Sequence, residues 1–225
     1  MSGPILIVAP HALDEVLGCG GTIAQESARG LPVHLLVMFG DGLGHDAKRR
    51  AAAAESAKIL GISDIQFAGL PENRGDTVPL TDIVTAVERA VTAIRPHDVY
   101  VAHGGNLHID HQMTFRAVAT ALRPVPGQPV RGVYGYEVPS STDWAVPGSG
   151  APFLPVRYVD IGTTLARKRL ALEAYGFELR ASPHSRSLEA VLNLARARGA
   201  VVGLPAAEGF TVLREIIADS LTSPA

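Results

Sequence analysis

The run Ile5-Leu6-Ile7-Val8-Ala9 is apolar at every position, and it gives way at once to Pro10-His11-Ala12-Leu13-Asp14-Glu15-Val16-Leu17-Gly18-Cys19-Gly20-Gly21. A strand without polar alternation is buried on both faces, as strands of a parallel sheet are. Parallel strands must be joined by crossovers, most often helices. The remaining sequence fits that demand. Strands are predicted over residues 4–9, 33–39, 65–68, 99–102, 130–138 and 156–161. Between and after them, helices are predicted from 15 or 16 to 29, and over 46–60, 80–94, 110–122, 164–175 and 187–198, with a final segment over 210–218. The Ala-rich run that Gly61 closes is the plainest of the helices, because Ala has the best helix propensity. The alternation predicts an α/β fold with a mainly parallel sheet and right-handed crossovers.

No internal repeat and no linker interrupts the chain before Pro139, so residues 1–225 read as one domain. Residues 139–155 are rich in Pro, Gly and Ser and hold the only tryptophan, Trp144, which predicts a lid or insertion rather than a regular element. The chain is 47% hydrophobic, enough for a sizeable core, and its formal net charge of −2 gives no electrostatic footprint for nucleic acid. A single Cys19 excludes an internal disulfide framework and a CxxC zinc site. The N-terminus lacks a basic n-region, and the apolar runs fall short of the ~20 residues that cross a bilayer. The expectation is a soluble protein of the reducing cytoplasm, without membrane insertion.

In an open parallel sheet, ligands gather at the carboxyl ends of the strands, where His11 and two acids begin. His11 and Asp14 are three apart at a strand-to-helix turn, a spacing that can aim both into one cleft. His108-Ile109-Asp110-His111 repeats the arrangement at the end of another strand, so a third ligand is expected there. Three protein ligands and one open position make a catalytic zinc site, which lowers the pKa of its water toward ~7. Asp110 could accept a ring N–H from a neighbouring histidine and fix its tautomer. A plainer reading stands beside this one. Asp14 and Glu15 also suit a helix N-terminus, and Asp110 suits an N-cap. His34, His45, His97, His103 and His184 read as ordinary hydrogen-bonded surface residues. Spacing alone leaves both readings open.

The opening motif from Pro10 to Gly21 resembles that of the LmbE/PIG-L family of zinc-dependent N-deacetylases, and His108-x-Asp110-His111 resembles the family's second motif. Ala57-x-x-Leu60-Gly61, Ala195-Arg196-x-Arg198-Gly199 and Ala207-Glu208-x-Phe210 extend the similarity over nearly the whole chain. The resemblance implies a Rossmann-like three-layer fold and removal of an acyl group, commonly acetyl, from the amide of an amino sugar or glycoconjugate. It implies Zn2+ held by His11, Asp14 and His111. It also implies a catalytic His108 that polarises the carbonyl or protonates the leaving amine, an Asp110 that orients a histidine, and a homo-oligomer. Two histidines and a carboxylate also suit iron, manganese or cobalt.

One position departs from the family pattern. The motif usually reads His-Pro-Asp-Asp-Glu and its first Asp is the general base; here that position is Leu13, and Ala12 replaces the proline. Base assistance is worth ~10² to 10⁴ in rate. Asp41, Asp110 or Glu15 could take the proton instead, zinc hydroxide could act alone, or the protein could bind a sugar-like ligand without efficient turnover. Arg49, Arg50, Arg74 and Asn106 are candidate substrate contacts, the arginines for phosphate or carboxylate. Trp144, Phe153, Tyr134 and Tyr136 could stack on a sugar. Against the arginines stands a role as solvated charges, and against the aromatics a role in packing. A dinucleotide site is the main rival, but Gly18-Cys19-Gly20-Gly21 breaks the GxGxxG spacing at Ile23. No GxSxG elbow supports a serine hydrolase.

Overall fold

A computed structural model describes residues 3–40 and 46–217. Strands β1 (Ile5–Ala9), β2 (Val33–Phe39), β3 (Asp64–Leu70), β4 (Asp98–Ala102), β5 (Gly132–Tyr136), β6 (Arg157–Asp160) and β7 (Ala207–Glu215) alternate with helices over most of the chain. The helices are α1 (Asp14–Ala28), α2 (Asp46–Leu60), α3 (Leu80–Ile94), α4 (Ile109–Ala121), α5 (Leu165–Ala174) and α6 (Leu188–Val201). The strand order is β3-β2-β1-β4-β5-β7-β6. The first five of these neighbours run parallel, and β7 runs antiparallel to both β5 and β6.

The apolar run at the start behaves as its composition requires: all five residues of β1 are buried. Ile5, Ile7 and Ala9 pack on one face with residues of α1 and α5, and Leu6 and Val8 on the other with residues of α3 and α4. The result is an α/β/α three-layer sandwich. The final segment, which the sequence left without a type, is the strand β7. Its first half, Ala207–Phe210, is buried between neighbours while the rest is half-buried or exposed without alternation, so neither a helical nor a strand period stands out. The predicted fifth strand is shorter at both ends than residues 130–138, because only Gly132–Tyr136 pair with β4.

The glycines of α1 serve packing. A Cβ on Gly18 would strike the Tyr136 ring, and one on Gly21 would lie 2.6 Å from Ile161, so bare backbone lets α1 sit tightly on the sheet and the following turn. They do not form a phosphate loop, which removes the basis of the dinucleotide reading. Nearby, the ammonium of Lys168 donates to Glu208 Oε1 at 2.6 Å and to the Leu17 carbonyl at 2.9 Å. Glu208 also accepts from the N–H of Gly21 and from both the N–H and hydroxyl of Thr22, so one buried ion pair ties α1, α5 and β7 together. Residues 139–155 form neither helix nor strand. Among the described residues no helix is long and apolar enough to cross a membrane.

Candidate active site

β1 and β4 are hydrogen-bonded neighbours, and this adjacency brings together the two His-rich stretches. His11 follows β1, and Asp14 opens α1. His108 caps the N-terminus of α4, accepting the Asp110 N–H on its Nδ1 at 3.2 Å, and Asp110 and His111 lie in the first turn. Two groups of donors result, His11–Asp14–His111 and His11–His108–Asp110, each with its ligand atoms within 4.8 Å of one another.

Hydrogen bonding separates the two. Asp110 is already engaged: Oδ2 accepts from the Asn73 N–H at 2.7 Å and lies 2.9 Å from His11 Nε2, while Oδ1 accepts from the Gly75 N–H at 2.8 Å. Asp14 Oδ2 accepts from the His11 backbone N–H at 2.9 Å and also faces two ring nitrogens, His11 Nδ1 at 3.3 Å and His111 Nε2 at 3.2 Å. These separations match the ~3.3 Å edge of a tetrahedron built on metal–ligand distances of ~2.0–2.1 Å. The second ring nitrogen of His11 rests on Asp110, the outer partner that a metal-ligating histidine commonly has. His11, Asp14 and His111 therefore fit a divalent cation, and Asp110 is placed to orient His11. The sequence had allowed Asp110 to orient one of the histidines flanking it; its partner is the one ninety-nine positions earlier.

The electrostatics agree. Burial opposes a charged imidazole at His11, but the hydrogen bonds to Asp110 and Asp14 outweigh it and push His11 up to about 9. Burial likewise opposes ionised Asp14, yet His111 and His11 hold its carboxyl well below the ordinary range. Burial would also raise Asp110, and the His11 and Asn73 contacts bring it down instead. The two carboxylates thus stay ionised, and a cation at His11 Nδ1 would have to displace the proton that His11 holds in its absence. At His108, burial and then the neighbouring His11 and His111 push the ring down to about 4. His108 is thus neutral near pH 7, and with Nδ1 accepting from backbone its proton sits on Nε2.

Leu13 stands in the left-handed region at φ 99°, a conformation that costs a non-glycine residue ~1–3 kcal/mol. Glu15 holds it there. Its Oε2 accepts from the Leu13 N–H at 2.8 Å, and its Oε1 accepts from the Tyr175 hydroxyl at 2.9 Å. Burial pushes Glu15 up to about 7. Glu15 does not line the cleft, and the oxygens of Asp110 are already taken, so neither supplies the exposed carboxylate that a replacement base requires. Asp41 and His45 lie outside the described residues.

The cleft around this cluster has a volume of about 400 Å³. Arg49 lines it, but is held between Glu72 at 2.7 Å and Glu178 at 2.8 Å. Trp144 lines it half exposed, its ring edge-on to His184 at 5.0 Å. Arg50 instead stacks on Phe67 at 4.0 Å beside a neighbouring hollow, and Arg74 is exposed outside the cleft. Asn106 is buried: its Oδ1 accepts from the His108 N–H at 3.0 Å and its amide donates to Thr142 Oγ1 at 3.2 Å, so it fixes the His108 backbone rather than facing the cleft. Tyr134 and Tyr136 are core residues, and Phe153 lines a larger cavity of about 980 Å³ between residues 138–153 and α6. Glu72, Glu178, Arg180, His184 and Arg186 also line the cleft, and no motif in the sequence pointed to them. His184 in particular had only the surface reading.

Residues 6–122 match the family described as PIG-L, GlcNAc-PI de-N-acetylase. The chain belongs to this family. An uncharacterized deacetylase, YaiS of Escherichia coli K12, is 28% identical over 144 residues, covering 61% of this chain and 75% of the relative. A probable N-acetyl-alpha-D-glucosaminyl L-malate deacetylase of Bacillus cereus is 25% identical over 142 residues, covering 56% of this chain and 64% of that protein. Among solved structures, the N,N'-diacetylchitobiose deacetylase of Pyrococcus horikoshii superposes with a TM-score of 0.76 at 20% identity, covering 95% of this chain and 84% of that one. The fold expected from the opening motif is therefore the fold found.

Proposed function

We propose that this PIG-L family protein is a metal-dependent hydrolase that removes an acetyl group from the amide nitrogen of an amino sugar or glycoconjugate. The observation that supports it best is the convergence of His11, Asp14 and His111 from the ends of two adjacent strands, at separations that suit one tetrahedral cation. Zn2+ is the metal proposed, and when bound it supplies Lewis-acid polarisation and a more acidic water. Asp110 keeps His11 oriented through Nε2, leaving Nδ1 toward the cation. Neutral His108 offers its Nε2–H to the carbonyl oxygen as negative charge builds there. Leu13 offers no proton acceptor, so the half of the machinery that activates water is weakened while the half that activates the carbonyl is complete.

The test uses purified protein stripped by chelation and reloaded with zinc, against a panel of N-acetyl amino sugars and their glycosides, with release of free amine as the readout. Asp14→Asn and His111→Ala should each lose stoichiometric zinc by elemental analysis and lose amine release with it. Amine release that survives chelation, or full zinc occupancy in both variants, would refute the proposal.

A further inference from the structure

Behind one wall of the metal cleft lies the larger cavity, about 980 Å³, a size that suits a small molecule. The two spaces stand back to back. Along the wall Ser140, Ser141 and Trp144 line the cleft, whereas Thr142, Asp143 and Ala145 line the cavity. Next to them His184 and Arg186 line the cleft, and Ser185 between them lines the cavity. The cavity is mostly apolar. Ala190, Leu194 and Ala197 form one stripe of α6 at helical spacing, and Val138, Val146 and Phe153 belong to the other side. Its charges do not cancel. Arg198 donates from Nε and Nη2 to the two carboxylate oxygens of Glu137, at 2.7 and 2.6 Å, so that pair is neutral. Asp143 is exposed, and among the described residues it meets no cation. The Ser185 hydroxyl is buried without a hydrogen-bond partner. Asp143 and Ser185 lie at the same end of the cavity, since each adjoins the Trp144–His184 ring contact.

The geometry points to a second ligand site in this cavity, for a small amphiphile with an apolar body and a single ammonium head. Burial of the body against the α6 stripe and Phe153 supplies most of the affinity. The head meets the Asp143 carboxylate and the Ser185 hydroxyl, which gains the partner it lacks. A carboxylate head would set like charge beside Asp143 and find Arg198 already held by Glu137. A neutral head avoids that repulsion but leaves Asp143 without a counter-ion. The lining includes no member of the metal cluster, so the site stands whether or not the deacetylase reading does.

Trp144 is the only tryptophan, and both its chain neighbours line the cavity, so its fluorescence reports entry. Zinc-loaded protein is titrated with 4-phenylbutylamine, 4-phenylbutanol and 4-phenylbutyrate, which share a body and differ in the charge of the head, with calorimetry as the second readout. One site is expected. The amine should bind about threefold more tightly than the alcohol and about tenfold more tightly than the carboxylate, as an exposed partner of opposite or like charge allows. Asp143→Asn should bring the amine down to the alcohol and leave the alcohol where it was. Ala197→Phe puts a ring into the cavity from an exposed position of α6, and should weaken all three about tenfold. Chelation of the zinc should change none of these affinities. No response to any of the three compounds overturns the site, as does unchanged affinity in Ala197→Phe. So does an amine preference that survives Asp143→Asn, or amine binding that vanishes on chelation and therefore belongs to the metal. Binding with the expected dependences, in a protein that hydrolyses no N-acetyl amino sugar, upholds the site and counts only against the deacetylase reading.

Discussion

Replacing Leu13 by Asp should raise deacetylation. Leu13 lines the cleft beside Asp14, at the position where the resemblance of the opening motif implies a base. Its side chain is buried, so exchanging it for a carboxylate forfeits ~2 kcal/mol of apolar burial. The backbone offsets part of that loss. At φ 99° a leucine is strained, and Asp enters positive φ more readily. In the zinc-loaded protein, where the cation offsets the charge of the new carboxylate, the net cost should be ~1–2 kcal/mol, or a melting point ~5 °C lower for a chain of this size. In return a proton acceptor appears beside the cation site, worth ~10² to 10⁴ in rate, or ~3–5 kcal/mol of barrier. The assay is amine release from a simple N-acetyl amino sugar by zinc-loaded protein, with circular dichroism and zinc content as controls. Leu13→Asn is the informative companion, since it has the same shape and the same tolerance of positive φ but no base. It should melt like Leu13→Asp and gain no rate. If folded, zinc-replete Leu13→Asp gains less than about tenfold, or if Leu13→Asn gains as much, the idea that only a base is missing is wrong.

Two stability predictions follow from the buried charges. Glu15 holds its proton up to about 7 in the folded protein, against an ordinary value of 4.5. Folded and unfolded chains are equally protonated below the lower value, so stability attributable to this group is complete there. It is lost as pH rises from about 4.5 through 7, by ~3 kcal/mol. Urea denaturation of Glu15→Gln at pH 5 and 7.5 should show a correspondingly smaller fall than the parent, and identical falls would show that Glu15 is not the group responsible. Separately, Lys168→Met removes one member of a pair whose side chains are each 3% exposed, leaving Glu208 charged and buried. A loss of ~3–5 kcal/mol and a melting point lower by about 10 °C are expected, and a loss under about 1 kcal/mol would mean that water reaches Glu208.

The sequence was most legible where local chemistry decides structure. β2, α2 and α3 have the predicted bounds, because an unbroken apolar run, an Ala-rich stretch and an amphipathic segment before Pro96 each favour one conformation whatever surrounds them. His11 and Asp14 stood out because they follow the end of a strand, and the family resemblance picked His111 from its stretch, although nothing local says that β1 and β4 are neighbours. The misreadings share a cause. Asn106, read as a substrate contact, is buried by a partner far along the chain, and of the two roles open to Tyr134 and Tyr136 the structure takes packing. The clamp of Tyr175 on Glu15 spans 160 positions. The 180–186 loop has no periodicity at all, and its character as a cleft wall comes only from how α5 and α6 are placed.

The last strand of the sheet carries a consequence for biosynthesis. β6 pairs only with β7, and β7 also covers the edge of β5, yet about fifty residues separate β6 from β7 in the chain. While the ribosome is still making that interval, β5 presents an open row of backbone donors and acceptors, and β6 has nothing to pair with. Bare edges of this kind recruit other chains. The arrival of β7 closes the edge and delivers Glu208 to Lys168 together. A nascent chain halted before residue 207 should therefore aggregate rather than persist as a smaller folded protein, even though every residue of the candidate metal site has long been synthesised.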